Sequence, residues 1–242
     1  QELRLLLERF EPYAEKSRRE WGTPGMAVAL VVGDRVVYTR GFGVRRAGGS
    51  EPVTPETIFQ IGSISKSFTS AMVAQLVDEK KLMWTDPIID SFPDFRLFDP
   101  WVTRQFTVED SMAQRSGMPP YAGDLLAFIG QDRDQILAAM RHIEPVSSFR
   151  SQFAYVNNLW LASAKVIEKH RGESWEASVR KRVFEPLAMS QSSTGADALY
   201  SAPNHAEPHL EGPQGAFPLG REWPYTQWVY TYGPAGGINS NV

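Results

Sequence analysis

Ile58-Phe59-Gln60-Ile61-Gly62-Ser63-Ile64-Ser65-Lys66-Ser67-Phe68 decides how the rest of this chain is read. Val53 to Ile61 reads as a turn followed by a short apolar strand, and Gly62 lets the chain bend out of it. Beyond the bend, Phe68, Met72, Val73, Leu76 and Val77 recur at helical spacing, so one stripe of a helix over Ser65–Asp78 is buried. Ser63 and Lys66 then sit in the first turn of that helix, three residues apart on one face. Lys66 can reach the Ser63 oxygen and take its proton, which a serine needs before it becomes a useful nucleophile. The N-terminal end of a helix also favours developing negative charge. Ser63 as a plain helix cap is the competing reading of the same segment.

Two fixed positions in four recur by chance about once in a chain of this size. Ser178-Val179-Arg180-Lys181 repeats the pattern inside a charged amphipathic helix, where no function is assigned to it. What singles out the first copy is its context and a second motif downstream. Phe153-Ala154-Tyr155-Val156-Asn157-Asn158 holds the chain's one Tyr-x-Asn. A phenol beside a lysine can serve as a phenolate base or proton shuttle, and an asparagine amide can orient a substrate carbonyl or the lysine itself. A half-buried tyrosine on a loop is the alternative for this motif taken alone.

These blocks occur in one order with Gln114-Arg115-Ser116-Gly117-Met118-Pro119, Val183-Phe184-Glu185-Pro186-Leu187-Ala188-Met189 and Gly233-Pro234-Ala235-Gly236-Gly237. In that order the chain resembles the serine β-lactamase-like superfamily from about residue 10 to its last residue. The nearest branch is the class C β-lactamase and penicillin-binding-protein-like serine hydrolases, with their D-aminopeptidase and esterase relatives; Ser148-Phe149-Arg150-Ser151 resembles the peptidase-like branch. The resemblance implies Ser63 as the acylated nucleophile, Lys66 as its base and Tyr155 as proton shuttle to the leaving group. It further implies that Asn157 binds substrate and holds Lys66, that Gly236 and Gly237 border the substrate, and that the Ser63 backbone N–H is half of an oxyanion hole. No metal or organic cofactor is expected.

The chain departs from that pattern in places. Gln114 stands where a histidine is common and Ala188 where a glycine is usual, both read as structural. The Lys/His-x-Gly strand that lines the cleft and supplies the second oxyanion N–H is not found. Asn239 or Ser240 reads as an N-cap for a helix that does not follow. The expectation is therefore an α/β (α+β) fold of β-lactamase/transpeptidase type: an antiparallel sheet flanked by helices, plus a mostly helical lobe over about 62–200, with C-terminal sheet strands missing. Residues 1–242 are expected to form this one domain, truncated at its C-terminal end, with a missing segment or second chain expected to complete the site.

Composition is that of a globular enzyme. Hydrophobic residues make up 42% of 242, with no apolar run of membrane-span length. A net charge of −3 without a basic stripe argues against nucleic-acid binding. The absence of cysteine excludes disulfides and thiol chemistry; it leans towards an extracytoplasmic compartment without excluding the cytoplasm. Gln1 is either a mature terminus or an arbitrary boundary.

Further helices are expected over Leu3–Trp21 (Leu6, Leu7, Phe10 and Tyr13 on one face), Val108–Gln114, Asp132–Arg141, Asn158–His170 and Trp175–Val183. Met26–Val32 and Arg35–Thr39 read as a hairpin turned at Gly33-Asp34. Ser201 to Tyr232, with Pro203, Pro208, Pro213, Pro218 and Pro224 among Trp223, Tyr225, Trp228, Tyr230 and Tyr232, reads as an irregular aromatic loop. It either binds substrate or fills space between lobes. His205 and His209 suggest a metal, but Pro208 breaks the helix that would align them, so a solvated loop is expected.

The function expected is a serine hydrolase forming an acyl-enzyme on Ser63 and opening an amide or ester bond in a small molecule or peptide: a D-amino peptide, a β-lactam or a small ester. A penicillin-recognising sensor of the same fold, or an incomplete and inactive fragment, are the alternatives.

Overall fold

The computed structural model describes residues 2–242, with side chains for 5–224 and 226–242. Gln1 and the Tyr225 ring, both singled out above, lie outside it. In chain order the elements are α1 (Glu2–Glu20), β1 (Gly25–Val32), β2 (Arg35–Gly43), β3 (Phe59–Gln60), α2 (Ser65–Asp78), α3 (Ile88–Ser91) and α4 (Pro100–Gln105). There follow α5 (Val108–Ala113), α6 (Arg133–Ala139), α7 (Asn158–Arg171), α8 (Trp175–Val179), α9 (Ala196–Ser201), β4 (His209–Gly212) and β5 (Gly215–Pro218). The chain closes with α10 (Pro224–Thr231), α11 (Gly233–Gly236) and β6 (Asn239–Ser240). Two compact units result: among the described residues, 2–60, 196–226 and 239–242 form one, and 61–195 with 227–238 the other.

In the first unit β1 and β2 make an antiparallel hairpin with Val32 opposite Arg35. Its two-residue loop starts at Gly33, whose φ of +64° is what a primed hairpin turn requires. The second strand runs on to Gly43, past the expected end at Thr39, with a bulge beside Leu30. Helix α1 packs on β2 through a T-shaped contact of Phe10 with Tyr38, and Glu11 accepts from Tyr38 and Arg40. The inward stripe is Leu7, Phe10 and Ala14; Leu6 and Tyr13, expected on that face, are exposed. The stripe is offset because its most buried member is Ala14, too small to announce itself in the apolar spacing.

Residues 201–232 are more regular than their prolines suggest. β4 and β5 pair antiparallel, with His209 opposite Pro218 at the ladder's end, and Pro224 opens α10 at the first helical position, where its missing N–H costs nothing. Asn239 and Ser240 cap no helix; they pair with Gln60 and Phe59 as β6. His205 and His209 are half-buried and each bonds to the backbone: His205 Nδ1 donates to the Ala202 carbonyl at 2.6 Å, and His209 Nε2 accepts from the Ala47 N–H at 2.9 Å.

The second unit is helical and holds a continuous core that includes Met72, Val73, Leu76, Phe95, Phe106, Ile136, Leu159, Ile167 and Trp175. Its helices are capped as their sequences require: Thr107 and Asp110 form a capping box on α5, and Asp132 with Gln135 on α6. Ser174 caps α8, which widens into a π turn over Arg180–Phe184 instead of continuing to Val183 as α-helix. Two buried bonds tie α2 to the glycine-rich turn around α11. The Thr69 hydroxyl donates to the Pro234 carbonyl at 2.8 Å, and the Ser65 hydroxyl accepts from the Ile238 N–H at 3.0 Å.

Candidate active site

Ser63 lies in a 3-10 turn, Gly62–Ile64, that feeds α2, one turn earlier than the α-helix proper. Gly62 has a φ of +52°, the left-handed bend that brings the chain from Ile61 into this turn. As the second residue of the turn, Ser63 has one of the N–H groups that a helix leaves without an intrahelical acceptor. Its side chain is exposed, whereas Lys66 and Ser65 are buried.

Lys66 Nζ makes three close contacts: Ser63 Oγ at 3.0 Å, Asn157 Oδ1 at 2.8 Å and the Ala235 carbonyl oxygen at 2.8 Å. The last two partners can only accept. An unprotonated amine has two hydrogens for them and a lone pair left facing Ser63; a protonated one donates to all three. Burial makes the unprotonated form easier to reach, bringing the Lys66 pKa down from 10.5 to about 8 against an opposing pull from the Asp124 carboxylate. The charge beside Lys66 is negative, so desolvation alone does the lowering.

Tyr155 reaches the same serine from the other side, its hydroxyl 2.5 Å from Ser63 Oγ. Its ring also lies 4.7 Å from Lys66 Nζ, and Tyr121 packs against it at 5.5 Å between centroids. Asn157 precedes α7 at the capping position, yet its side chain makes no cap bond. It turns inward, accepting from Lys66 through Oδ1 and donating to Asp124 Oδ2 through Nδ2 at 2.7 Å. Asp124 is buried, and burial raises its pKa against the lowering effects of Asn157 and Lys66.

Ser63, Lys66, Tyr155 and Asn157 therefore converge. Gly236 and Gly237 are buried, and their N–H groups donate to the Tyr232 and Gly233 carbonyls, so the polar group this turn offers Lys66 is the Ala235 carbonyl. Sequence reasoning missed that oxygen, since a main-chain carbonyl carries no residue signature. It also missed Asp124, whose one signal is an acid in the apolar run Tyr121-Ala122-Gly123-Asp124-Leu125-Leu126-Ala127-Phe128. In the second Ser-x-x-Lys the two side chains are engaged elsewhere: buried Ser178 donates to Glu173, and Lys181 pairs with the same carboxylate. Among the described residues no cluster of His, Asp and Glu could hold a metal ion. No helix among them is long and apolar enough to cross a membrane.

Residues 10–242 match the Beta-lactamase family, and the chain belongs to it. It is 31% identical over 190 residues to an unguisins hydrolase of Aspergillus campestris, covering 74% of this chain and 35% of that one. It is 30% identical over 180 residues to penicillin-binding protein 4 of Amycolatopsis lactamdurans, covering 73% and 46%. The octameric penicillin-binding protein homologue from Pyrococcus abyssi superposes with a TM-score of 0.83 at 27% identity, over 98% of this chain and 54% of that one. The mixed α/β fold is that of the β-lactamase/transpeptidase-like proteins, and the chain spans between a third and a half of these two curated relatives' lengths.

Proposed function

We propose that Ser63 is the nucleophile of a serine hydrolase that forms an acyl-enzyme from an amide or ester. The observation that carries this is the position of Ser63 Oγ between two proton-handling groups, Lys66 Nζ at 3.0 Å and the Tyr155 hydroxyl at 2.5 Å. Unprotonated Lys66 takes the Ser63 proton while Oγ bonds to the substrate carbonyl carbon, whose oxygen becomes the oxyanion and accepts from the Ser63 N–H. As the intermediate collapses, the carbon–nitrogen or carbon–oxygen bond breaks, and the leaving group takes the Tyr155 proton. Lys66 returns a proton to Tyr155, leaving both groups as they began. Water then attacks the acyl-Ser63, with Tyr155 and Lys66 accepting its proton and restoring the Ser63 hydroxyl.

The substrate class is a D-amino peptide, a β-lactam or a small ester, in keeping with the unguisins hydrolase, penicillin-binding protein and D-aminopeptidase names among the relatives. The second oxyanion N–H belongs to a further segment or a second chain in this scheme. Intact-protein mass after incubation with a fluorophosphonate, and separately with a penicillin, tests the assignment beside Ser63→Ala. Adducts in the parent that vanish in the variant support it. A penicillin adduct that persists points instead to a sensor that acylates without turnover. No adduct with either reagent in folded protein overturns the reading for this chain and leaves an incomplete site.

A further inference from the structure

We propose that Asp124 is a positioning residue, holding the Asn157 amide with its oxygen toward Lys66 and so keeping the amine on Ser63. This rests on the acyl-transfer reading of Ser63.

An asparagine amide has two ends of nearly equal shape and opposite hydrogen-bonding character. If Asn157 presented its NH2 to Lys66, two donors would face each other in a buried site and the amine would lose a partner. A carboxylate cannot donate, so Asp124 Oδ2, at 2.7 Å, accepts only from the NH2 end. That leaves Oδ1 at 2.8 Å from Lys66 Nζ. The chain of contacts Asp124–Asn157–Lys66–Ser63 therefore has one polarity, set at its far end.

Asp124 is itself held by rigid elements. Three side chains bond the backbone that carries it: Asn158 donates to the Ala122 carbonyl at 2.8 Å, Tyr232 to Gly123 at 3.0 Å, and the Trp228 indole to Asp124 at 2.6 Å. Gly123 adopts a φ of +78°, and a Cβ there would fall 2.6 Å from Asn158 Nδ2, so the approach requires glycine. Asp124 as a whole is only 8% exposed, and its Oδ1 is buried without a hydrogen-bond partner. Desolvating an acid this far is costly for stability alone; a role in holding the amide and opposing the Lys66 charge accounts for it. Tyr155, on the Lys66 side, and Tyr232, on the Asp124 side, are the neighbouring titratable groups, and burial followed by the Asp124 charge raises Tyr232 further. Asp124 and Lys66 are the oppositely charged pair whose mutual pull the test reads.

Two readouts on Asp124→Asn and Asp124→Glu test this, with fold checked by near-ultraviolet circular dichroism. The first is the protonation midpoint of Lys66, followed by NMR in protein carrying isotopically labelled lysine, its signal assigned by loss in Lys66→Arg. The second is the rate of fluorophosphonate labelling at Ser63 against pH. In Asp124→Asn the lost charge should move the Lys66 midpoint, and the rising limb of the labelling profile, to lower pH. The plateau rate should fall about tenfold or more as the amide loses its fixed orientation. Asp124→Glu keeps the charge, so its midpoint should stay near the parent's while its plateau falls. A parental plateau in either folded variant, or an unmoved midpoint in Asp124→Asn, overturns the proposal. Failure of the acyl-transfer reading looks different: the parent is not labelled at Ser63, while the Lys66 midpoint still moves in Asp124→Asn.

Discussion

Lys66 Nζ donates to the Ala235 carbonyl at 2.8 Å, tying the first turn of α2 to a short glycine-rich helix 169 residues further along the chain. With Asn157 Oδ1 it makes a second acceptor for the same nitrogen, so an unprotonated Lys66 has its lone pair committed to Ser63. A base built this way depends on being able to lose its proton. Lys66→Arg keeps the positive charge and the donors but cannot deprotonate in the working range. Labelling of Ser63 by a fluorophosphonate should fall by about two to four orders of magnitude in Lys66→Arg and in Lys66→Ala alike. Time-resolved intact mass measures this; an arginine variant close to the parent in rate would remove Lys66 from the base role. Ser178→Ala, in the buried second copy of the motif, should leave the rate unchanged.

The same lysine sets a pH dependence. Burial brings its pKa to about 8, so the labelling rate should rise with pH and level off above about 8. For stability the sign is fixed by which state holds the proton. Between about 8 and 10.5 the unfolded chain keeps a proton on this lysine that the folded chain has lost, so folding becomes more favourable as pH rises through that window. Below it both states are protonated and the slope from this group vanishes. Relative to Lys66→Met, the parent should gain stability between about pH 7 and about pH 10, read from urea midpoints at each. A constant difference would mean that Lys66 titrates in the folded protein as it does unfolded.

How far these groups could be found from the sequence depends on what kind of signal each leaves. Ser63 and Lys66 were legible because helical periodicity downstream put them on one face, and Tyr155 with Asn157 because the pair is unique in the chain. Helix α2 begins and ends where its apolar spacing placed it. Asp124 and Ala235 left no comparable mark: one works through Asn157, and the other through a main-chain oxygen. The stretch around β4, β5 and α10 was misread because its prolines occupy places that regular structure tolerates, such as the ladder's end at Pro218 and the first helical position at Pro224. Proline marks boundaries, and a segment made of short elements consists largely of boundaries.

Asp110 is the buried charge that holds the helical unit's loops together. Its Oδ1 accepts from Arg115 at 2.5 Å and Arg150 at 2.9 Å, and its Oδ2 from Arg150 at 2.7 Å and the Thr107 N–H at 3.0 Å. Burial pushes its pKa up, but the Arg150, Thr107 and Arg115 bonds outweigh this and bring it to about 2. Asp110→Ala removes a capping box and several charge-assisted bonds together, and should cost about 2–4 kcal/mol in urea unfolding. A depressed carboxyl contributes stability above its unfolded pKa and loses it as pH falls towards the folded one. The gap between parent and Asp110→Asn should therefore be full near neutral pH and narrow from about pH 4 downward. A gap that widened in acid would mean the carboxyl is protonated in the fold.

Gly237 tests whether the Ala235 carbonyl is held in place by packing. The backbone here has φ −97°, open to any residue, so the demand for glycine is one of space. A Cβ at this position would lie 2.7 Å from the Gly233 Cα and 3.2 Å from the Val229 carbonyl oxygen. Both are main-chain atoms, so no side-chain rotation relieves the clash. The relief available is a shift of the α11 backbone, and that backbone carries the oxygen bonded to Lys66. Gly237→Ala should therefore destabilise the protein by about 1–3 kcal/mol. It should also slow Ser63 labelling under conditions where the variant remains folded. Gly220→Ala, at a glycine with open space where a Cβ would stand, controls for a loss of glycine that strains nothing. If Gly237→Ala lost stability yet labelled at the parental rate, the Ala235 contact would be a packing feature without bearing on the base. If it lost both, the carbonyl would belong with Asn157 as the second acceptor that directs the Lys66 lone pair to the serine.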